Sequence, residues 1–255
     1  MTIGAIPTQG GVEAAIRHAS RATGVDFDFL LKTARRESSL NPHAKAPTSS
    51  AAGLFQFIEQ TWLSTVKKHG ARHGYGQYAD LIQQGPDGRW RVQGSARNVV
   101  LDLRFDARAA STMAAELAAS NAAYLKGRTG QTPTAGDLYA AHFLGPAGAA
   151  SLMEALATRP GGSAAALFPQ AAAANKSIFY REGRPATVAE VHANLQRTAG
   201  GAAAVSTVEA PPDKDLAIAA RIDRLKQDQS VLAMLLGQDG GGTGFSAFGP
   251  DKARG

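Results

Sequence analysis

The sequence predicts an all-α protein whose folded region is followed by a short helical extension. In several segments, apolar residues recur every three or four positions, which is the spacing of one face of an α-helix. Residues suited to capping a helix stand immediately before most of these segments. The 255 residues are enough for one medium-sized domain and an appendage.

The predicted helices follow one another along the N-terminal part of the chain. They run from Gly11 to Arg21, from Asp26 to Glu37, from Glu59 to His69, from Asp106 to Lys126, onward from Thr134, and from Thr187 to Arg197. Gly70 is expected to end the third helix, and Trp62 is expected to lie in the core. The fourth helix is rich in alanine, which permits close packing, so we expect it to be the central helix.

Glu37 is the candidate for acid–base chemistry. It follows Leu30 by seven residues and Ala34 by three, so two helical turns bring it to the buried face of its helix. A carboxyl group directed towards the core loses part of its hydration, which favours the protonated form that a general acid needs. Pro42 prevents the helix from continuing. From spacing alone, a carboxylate held by local hydrogen bonds at a helix end is an equally good interpretation.

Several blocks of sequence, in order, resemble the soluble lytic transglycosylases, which share the goose-type lysozyme fold. The first is ESSLNPHA at residues 37–44 followed by GLFQ at residues 53–56, similar to the family patterns Glu-Ser-x-Phe-Asn-Pro-x-Ala and Gly-Leu-Met-Gln. The later blocks are Phe105–Arg108 with Ala123–Leu125, then Ala141–Gly145, and more weakly Ile178–Tyr180. The resemblance implies a lysozyme-like (goose-type) catalytic domain, which we place at residues 1–198.

The resemblance also implies which residues act on the substrate. Glu37 is implied to be catalytic, and the implied substrate-binding residues are Ser50, Phe55, Gln56, His142 and Tyr180. Phe55 replaces the usual methionine of the family. His142 and Phe143 stand where the family has tyrosine and asparagine, which changes the polar groups in that part of the implied active site.

The activity implied by the resemblance is cleavage of the β-1,4 bond between N-acetylmuramic acid and N-acetylglucosamine in peptidoglycan, with formation of 1,6-anhydromuramic acid. Glu37 alone is enough when the substrate supplies the nucleophile, and no second acidic residue lies in a matching block. No cofactor and no metal are implied. Two alternatives stay open: a muramidase that uses water on the same fold, and a non-catalytic assembly protein.

Composition limits the other functions and the location. A net charge of +6 suits acidic partners, but charge alone is weak support for nucleic-acid binding, and we predict none. No run of about 18 apolar residues predicts a membrane span. Residues 1–10 contain neither a basic residue nor an apolar run, so they do not form a signal peptide. A protein that acts on the cell wall in the periplasm would then have lost its leader or use a non-classical export route.

Aromatic residues between glycines allow two interpretations. Tyr75, Tyr78 and Trp90 lie close to lysine or arginine residues. They could stack on sugars or on bases. They could equally belong to a packed loop.

The C-terminal region is predicted to recruit a partner. Residues 199–213 are rich in alanine, glycine and proline and read as a linker, and residues 237–255 are predicted to be disordered. Between them, residues 214–236 form an amphipathic helix with a heptad seam from Ile218 to Leu236. Family members with such a tail serve flagellum or secretion assembly, so a flagellar rod or secretion-system protein is the implied partner. A flagellum-associated alphaproteobacterial type is one identity that the resemblance suggests, and a phage virion protein is another.

Overall fold

The computed structural model describes residues 9–200, and this region is helical, which confirms the predicted fold class. The predicted linker beyond Gly200, the helix at 214–236 and the tail at 237–255 lie outside the described residues. Within residues 9–200, no helix combines the length and the apolar character needed to cross a membrane.

The helices of the described region have the following bounds: α1 Gln9–Thr23, α2 Phe27–Ser38, α3 Glu59–His69, α4 Gly76–Asp80, α5 Ala96–Asp102, α6 Ala107–Thr129, α7 Ala135–Thr158, α8 Ala164–Leu167, α9 Pro169–Ala174, α10 Lys176–Phe179 and α11 Val188–Ala199. Short 3₁₀ turns at Gly70–His73 and Leu103–Phe105 continue from α3 and α5. Two small antiparallel hairpins, which the sequence analysis did not predict, join β1 (Ile82–Gln84) to β2 (Trp90–Val92) and β3 (Tyr180–Arg181) to β4 (Arg184–Pro185).

Side chains just outside the helices begin them as predicted. The carboxylate of Asp26 accepts a hydrogen bond from the backbone N–H of Phe29, and that of Asp106 accepts one from Ala109, both at 2.7 Å. Thr134 and Thr187 each form a reciprocal capping box with an acidic residue three positions later. These contacts satisfy N–H groups that the helices leave without internal partners.

The third helix has the predicted bounds and ends at His69, immediately before Gly70. Gly70 itself keeps helical dihedral angles, and the chain continues as a 3₁₀ turn until Gly74, which has a φ of 83°. Gly70 is also a packing position, because an added Cβ would lie 3.2 Å from the Val66 side chain. The predicted burial of Trp62 is confirmed, with no exposed surface.

Helix α6 connects two hydrophobic cores. Its first half belongs to the first core, where it packs with α1, α2 and α3, whereas its second half belongs to the second core, where it packs with α7. Phe29 of α2 contacts both cores. A cleft opens between the cores, so α6 takes the central place that its alanine content predicts.

Tyr75, Tyr78 and Trp90 are partly buried and pack against the first core. The backbone of Trp90 forms two hydrogen bonds with the side chain of Gln60, both at 2.9 Å. Burial raises the pKa of Tyr75. Of the two interpretations of these aromatic residues, the structure therefore supports the packed loop.

Candidate active site

Glu37 lies in the last turn of α2, at one end of the cleft. Its side chain is 18% exposed, and it points in the same direction as Leu30 and Ala34, both of which are buried. Thr33, one turn earlier on α2, lines the cleft. The carboxyl group is thus largely shielded from solvent, and its contact with His142, a lining residue, places it beside the cleft.

The residues after Glu37 end the helix sharply and attach it to the next loop. Ser39 and Leu40 adopt left-handed backbone conformations with φ of 53° and 64°. The hydroxyl of Ser38 donates to the carbonyl oxygens of Leu54, at 2.8 Å, and Ala34, at 3.1 Å. The Ser38–Leu54 bond fixes the distance between Glu37 and the loop that carries Phe55 and Gln56.

Gly53 allows that loop to pass close to the turn before α6. It has a φ of +80°, and a Cβ at this position would lie 1.9 Å from the carbonyl oxygen of Arg104. Any other residue would therefore be strained twice, by its backbone conformation and by the clash. The close approach explains why the GLFQ block begins with glycine.

Arg104 fixes the loop through hydrogen bonds to its backbone. Its guanidinium donates to the carbonyl oxygens of Ser50 at 2.7 Å, Phe57 at 3.1 Å and Leu101 at 2.8 Å. The residue is 8% exposed, and burial lowers the pKa of its guanidinium, partly offset by Glu59 and Asp102. Sequence reasoning missed this residue, although a single arginine inside the apolar run Val99–Phe105 was a usable signal.

Phe55 and Gln56 lie in the wall of the cleft. Phe55 is 4% exposed and forms part of the first core. The Nε2 of Gln56 donates to the carbonyl oxygens of Gly53 at 2.9 Å and Ala44 at 3.2 Å. Its Oε1 accepts no hydrogen bond from the described residues, so this oxygen is available to a ligand in the cleft.

Ser50 and Tyr180 lie apart from the cleft lining. The hydroxyl of Ser50 accepts a hydrogen bond from the backbone N–H of Glu59 at 3.2 Å, so it supports the start of α3. Tyr180 is 40% exposed in the hairpin before α11. Substrate contact by either residue stays a prediction.

Helix α7 forms the opposite wall. The Nε2 of His142 lies 3.4 Å from Oε1 of Glu37, and the His142 side chain is 43% exposed, so it faces the open cleft rather than the core. Its ring stacks on Tyr139, with the ring planes 14° apart. Helix α7 bends one turn later at Gly145, with a φ of 74°, followed by Pro146. This kink was not predicted.

A cation also packs on the ring of Tyr139. The Arg36 guanidinium lies 4.3 Å from the centre of the Tyr139 ring and donates to the carbonyl oxygen of Thr198 at 2.5 Å. A continuous series of contacts, which we call the stack, therefore runs from the end of α11 to the edge of the cleft through Arg36, Tyr139, His142 and Glu37. Sequence reasoning missed Arg36 and Tyr139, because nothing in their spacing relates α2 to α7.

The cleft itself has a volume of about 300 Å³ and is mainly apolar. Side chains from α2, the loop before α3, α3 itself, α6 and α7 line it, and they include Phe55, Gln56 and His142. Within residues 9–200, the lining contains no aspartate, glutamate, lysine or arginine. Glu37, at the end of the cleft, is the acidic group that the arrangement offers to a ligand.

A cleft between two helical lobes with one glutamate at its mouth fits an enzyme that acts on a glycan. Residues 14–83 match the family model described as Transglycosylase SLT domain. This segment of the chain is therefore similar to the SLT transglycosylases, in agreement with the predicted family resemblance.

Two curated relatives agree with this family. They are the proteins named Probable transglycosylase SceD from Staphylococcus aureus, strains bovine RF122 / ET3-1 and MRSA252. Each is 47% identical to this chain over 49 residues. The matched stretch covers 19% of this chain and 21% of each relative.

Proposed function

We propose that this protein is a lytic transglycosylase of peptidoglycan in which Glu37 is the single acid–base group. The SLT domain match includes Glu37 and the whole GLFQ block. The position of Glu37 supports the proposal, because a partly buried carboxyl group beside a cleft suits general acid catalysis.

The observation that carries the proposal is the position of Glu37, whose carboxylate lies 3.4 Å from the cleft-lining His142. Most glycosidases place two carboxyl groups across the scissile bond. Here Glu59, which begins α3, is held by Arg97 through two hydrogen bonds to its carboxylate. It does not line the cleft. With one carboxyl group, a nucleophile supplied by the substrate completes the reaction without a second protein carboxylate.

In the first step, protonated Glu37 gives its proton to the oxygen that links N-acetylmuramic acid to N-acetylglucosamine. The bond between C1 of the muramoyl residue and that oxygen then breaks. The carbonyl oxygen of the muramoyl acetamido group stabilises the positive charge that develops at C1. Glu37 is left as a carboxylate.

In the second step, the Glu37 carboxylate accepts the proton of the muramoyl C6 hydroxyl. The C6 oxygen bonds to C1 and closes the 1,6-anhydro ring. Glu37 is protonated again, and no water is consumed. The apolar walls suit the sugar faces and the acetamido methyl group, and the free Oε1 of Gln56 can accept a hydrogen bond from a sugar N–H or O–H.

The proposal is tested by mass spectrometry of soluble products from purified peptidoglycan. We expect muropeptides that end in anhydromuramic acid, which are one water lighter than products with reducing ends. Glu37→Gln should release almost none. A fully active Glu37→Gln variant contradicts the assignment. Products that carry only reducing ends would identify a muramidase.

The cellular role that we propose is local opening of the cell wall in the periplasm during flagellum or secretion-system assembly. Support comes from the heptad pattern of residues 218–236, which lie outside the described residues. Deletion of residues 205–255 should leave wall cleavage intact and abolish capture of a rod or secretion component. Loss of cleavage on deletion would contradict the separation of the two roles.

A further inference from the structure

The starting observation is the distance between Glu37 and His142, which belong to different lobes. Oε1 of Glu37 and Nε2 of His142 are 3.4 Å apart, an ion-pair distance slightly longer than a usual hydrogen bond. Catalytic contacts of this kind are often long in the absence of substrate and shorten when it binds.

His142 is held in this place by the stack behind it. Its ring lies 14° from parallel to Tyr139, and the Arg36 guanidinium also packs on the Tyr139 ring. Arg36 is in turn anchored on the carbonyl oxygen of Thr198. The imidazole therefore has an aromatic neighbour on α7, although it faces the open cleft.

The proposed reaction creates a need for a cation at this position. After the first step, Glu37 is a carboxylate in an apolar cleft, where an unpaired charge is costly. We infer that His142 is a positioning residue for Glu37, and that its imidazolium form stabilises the Glu37 carboxylate between the two steps. His142 keeps its proton throughout, and Glu37 alone exchanges protons with the substrate. The role of His142 between the two steps rests on the proposed function, whereas the contact between Glu37 and His142 is observed directly.

Among the groups around this contact, His142 is the ionisable partner of Glu37. On its own helix, the nearest titratable group is Tyr139. From α2, the charged groups are Glu37 and, beyond the Tyr139 ring, Arg36. The parts of the loop, α3 and α6 that line the cleft present no charged side chain among the described residues.

A defined dependence on pH follows. Only the protonated imidazolium form of a histidine is charged, and this form is lost as pH rises. The stabilisation of the carboxylate is therefore present in acid solution and lost as pH rises. If the ring at position 142 had only a structural role, replacing it would lower kcat by the same factor at both pH values.

The activity test compares the wild-type chain with His142→Phe, which keeps an aromatic ring on Tyr139 and removes the charge. We expect kcat to fall about tenfold at pH 5.5 and only about two- to threefold at pH 8.5, with little change in KM. His142→Gln, which keeps an N–H donor without the charge, should show the same difference between the two pH values. His18→Gln is the matched control, because it removes an exposed histidine that bonds to Arg108 instead.

A second measurement does not depend on activity. Melting temperatures are compared for the wild-type chain, Glu37→Gln, His142→Phe and the double variant, at pH 6 and pH 8.5. At pH 6, His142→Phe should lower the melting temperature more when Glu37 is present than when it is glutamine. At pH 8.5 this excess should be smaller, because less of the charged imidazolium form is present.

The two measurements separate the two hypotheses. An equal effect of His142→Phe in both backgrounds at pH 6 overturns the pairing, as does a kcat ratio that is the same at both pH values. An inactive wild-type chain contradicts the proposed function, and the melting temperatures then still decide whether Glu37 and His142 form a pair.

Discussion

The two walls of the cleft are built in different ways. In the wall formed by α2 and its following loop, backbone constraints set the positions, with Gly53 against the Arg104 carbonyl and Ser38 bonded to Leu54. In the wall formed by α7, side-chain stacking sets the positions, with His142 on Tyr139 ahead of the kink at residue 145.

This difference explains why one wall could be predicted more fully than the other. A backbone in close contact accepts few residue types, so it leaves a motif such as GLFQ in the sequence. A stack of side chains can be formed by several residue types and leaves no such motif. The family model accordingly includes the first wall and ends at residue 83, before α7 begins.

The largest effect should come from the carboxyl group at the end of the first wall. Glu37→Gln keeps the shape of the side chain but can neither give nor recover a proton. Wall cleavage should fall by a factor of roughly 100 to 10,000, which is the usual contribution of positioned proton transfer. Initial rates of wall solubilisation measure the loss. Glu13→Gln, on α1, should cleave at the wild-type rate, and equal losses in both variants would remove the special role of Glu37.

The backbone constraint is tested by a pair of glycine substitutions. Gly53→Ala should lower the free energy of unfolding by about 3 kcal/mol, because the left-handed backbone and the clash with Arg104 both oppose it. Gly88→Ala has a similar φ of +75°, but no atom lies within 4 Å of the added Cβ. It should cost only about 1 kcal/mol. Equal losses in urea unfolding would show that the close approach has no energetic role.

Arg104→Lys tests how the loop is held. A lysine ammonium has no planar fork and cannot donate to the carbonyl oxygens of Ser50 and Phe57 in the same geometry. Stability should fall by about 2 kcal/mol, since buried acceptors lose their donor. Arg97→Lys changes a partly exposed pair with Glu59 and should cost less than about 0.5 kcal/mol. A larger loss in the control would mean that the buried guanidinium is not the anchor.

The smallest effect on stability is expected at Asp137, in the first turn of α7. Burial alone would raise its pKa, but hydrogen bonds from His192 and Thr134 outweigh burial, and the pKa of Asp137 is lowered. A lowered pKa in the folded state stabilises the protein above the unfolded value, near about 4, and this contribution is lost as pH falls further. Asp137→Asn should cost about 1 to 2 kcal/mol at pH 7 and less at pH 3. A constant difference in urea unfolding would contradict the assignment.

Much of the fold followed from local signals in the sequence. Asp26, Asp106, Thr134 and Thr187 identified helix starts because capping depends on residues close in the chain. The end of α3 at His69 was also predicted, whereas the 3₁₀ turn at Gly70–His73 and the contact of Gly70 with Val66 were not, since they depend on packing.

The candidate site divides in the same way. Spacing within one helix was enough to place Glu37 beside buried residues. The distance from Glu37 to His142 joins residues 105 positions apart in the chain, and the contact of Arg104 with Ser50 joins residues 54 apart. Such contacts depend on packing between helices, which periodicity does not encode.

The most direct test of the central claim, that one carboxyl group acts with a nucleophile from the substrate, uses water labelled with heavy oxygen. Purified peptidoglycan is digested in H₂¹⁸O, and the new glycan ends are weighed by mass spectrometry. The account predicts that these ends contain no heavy oxygen, because the muramoyl C6 oxygen closes the ring. Heavy oxygen at C1 of the new ends would show attack by water, and a single-carboxylate transglycosylase would then be the wrong description of this site.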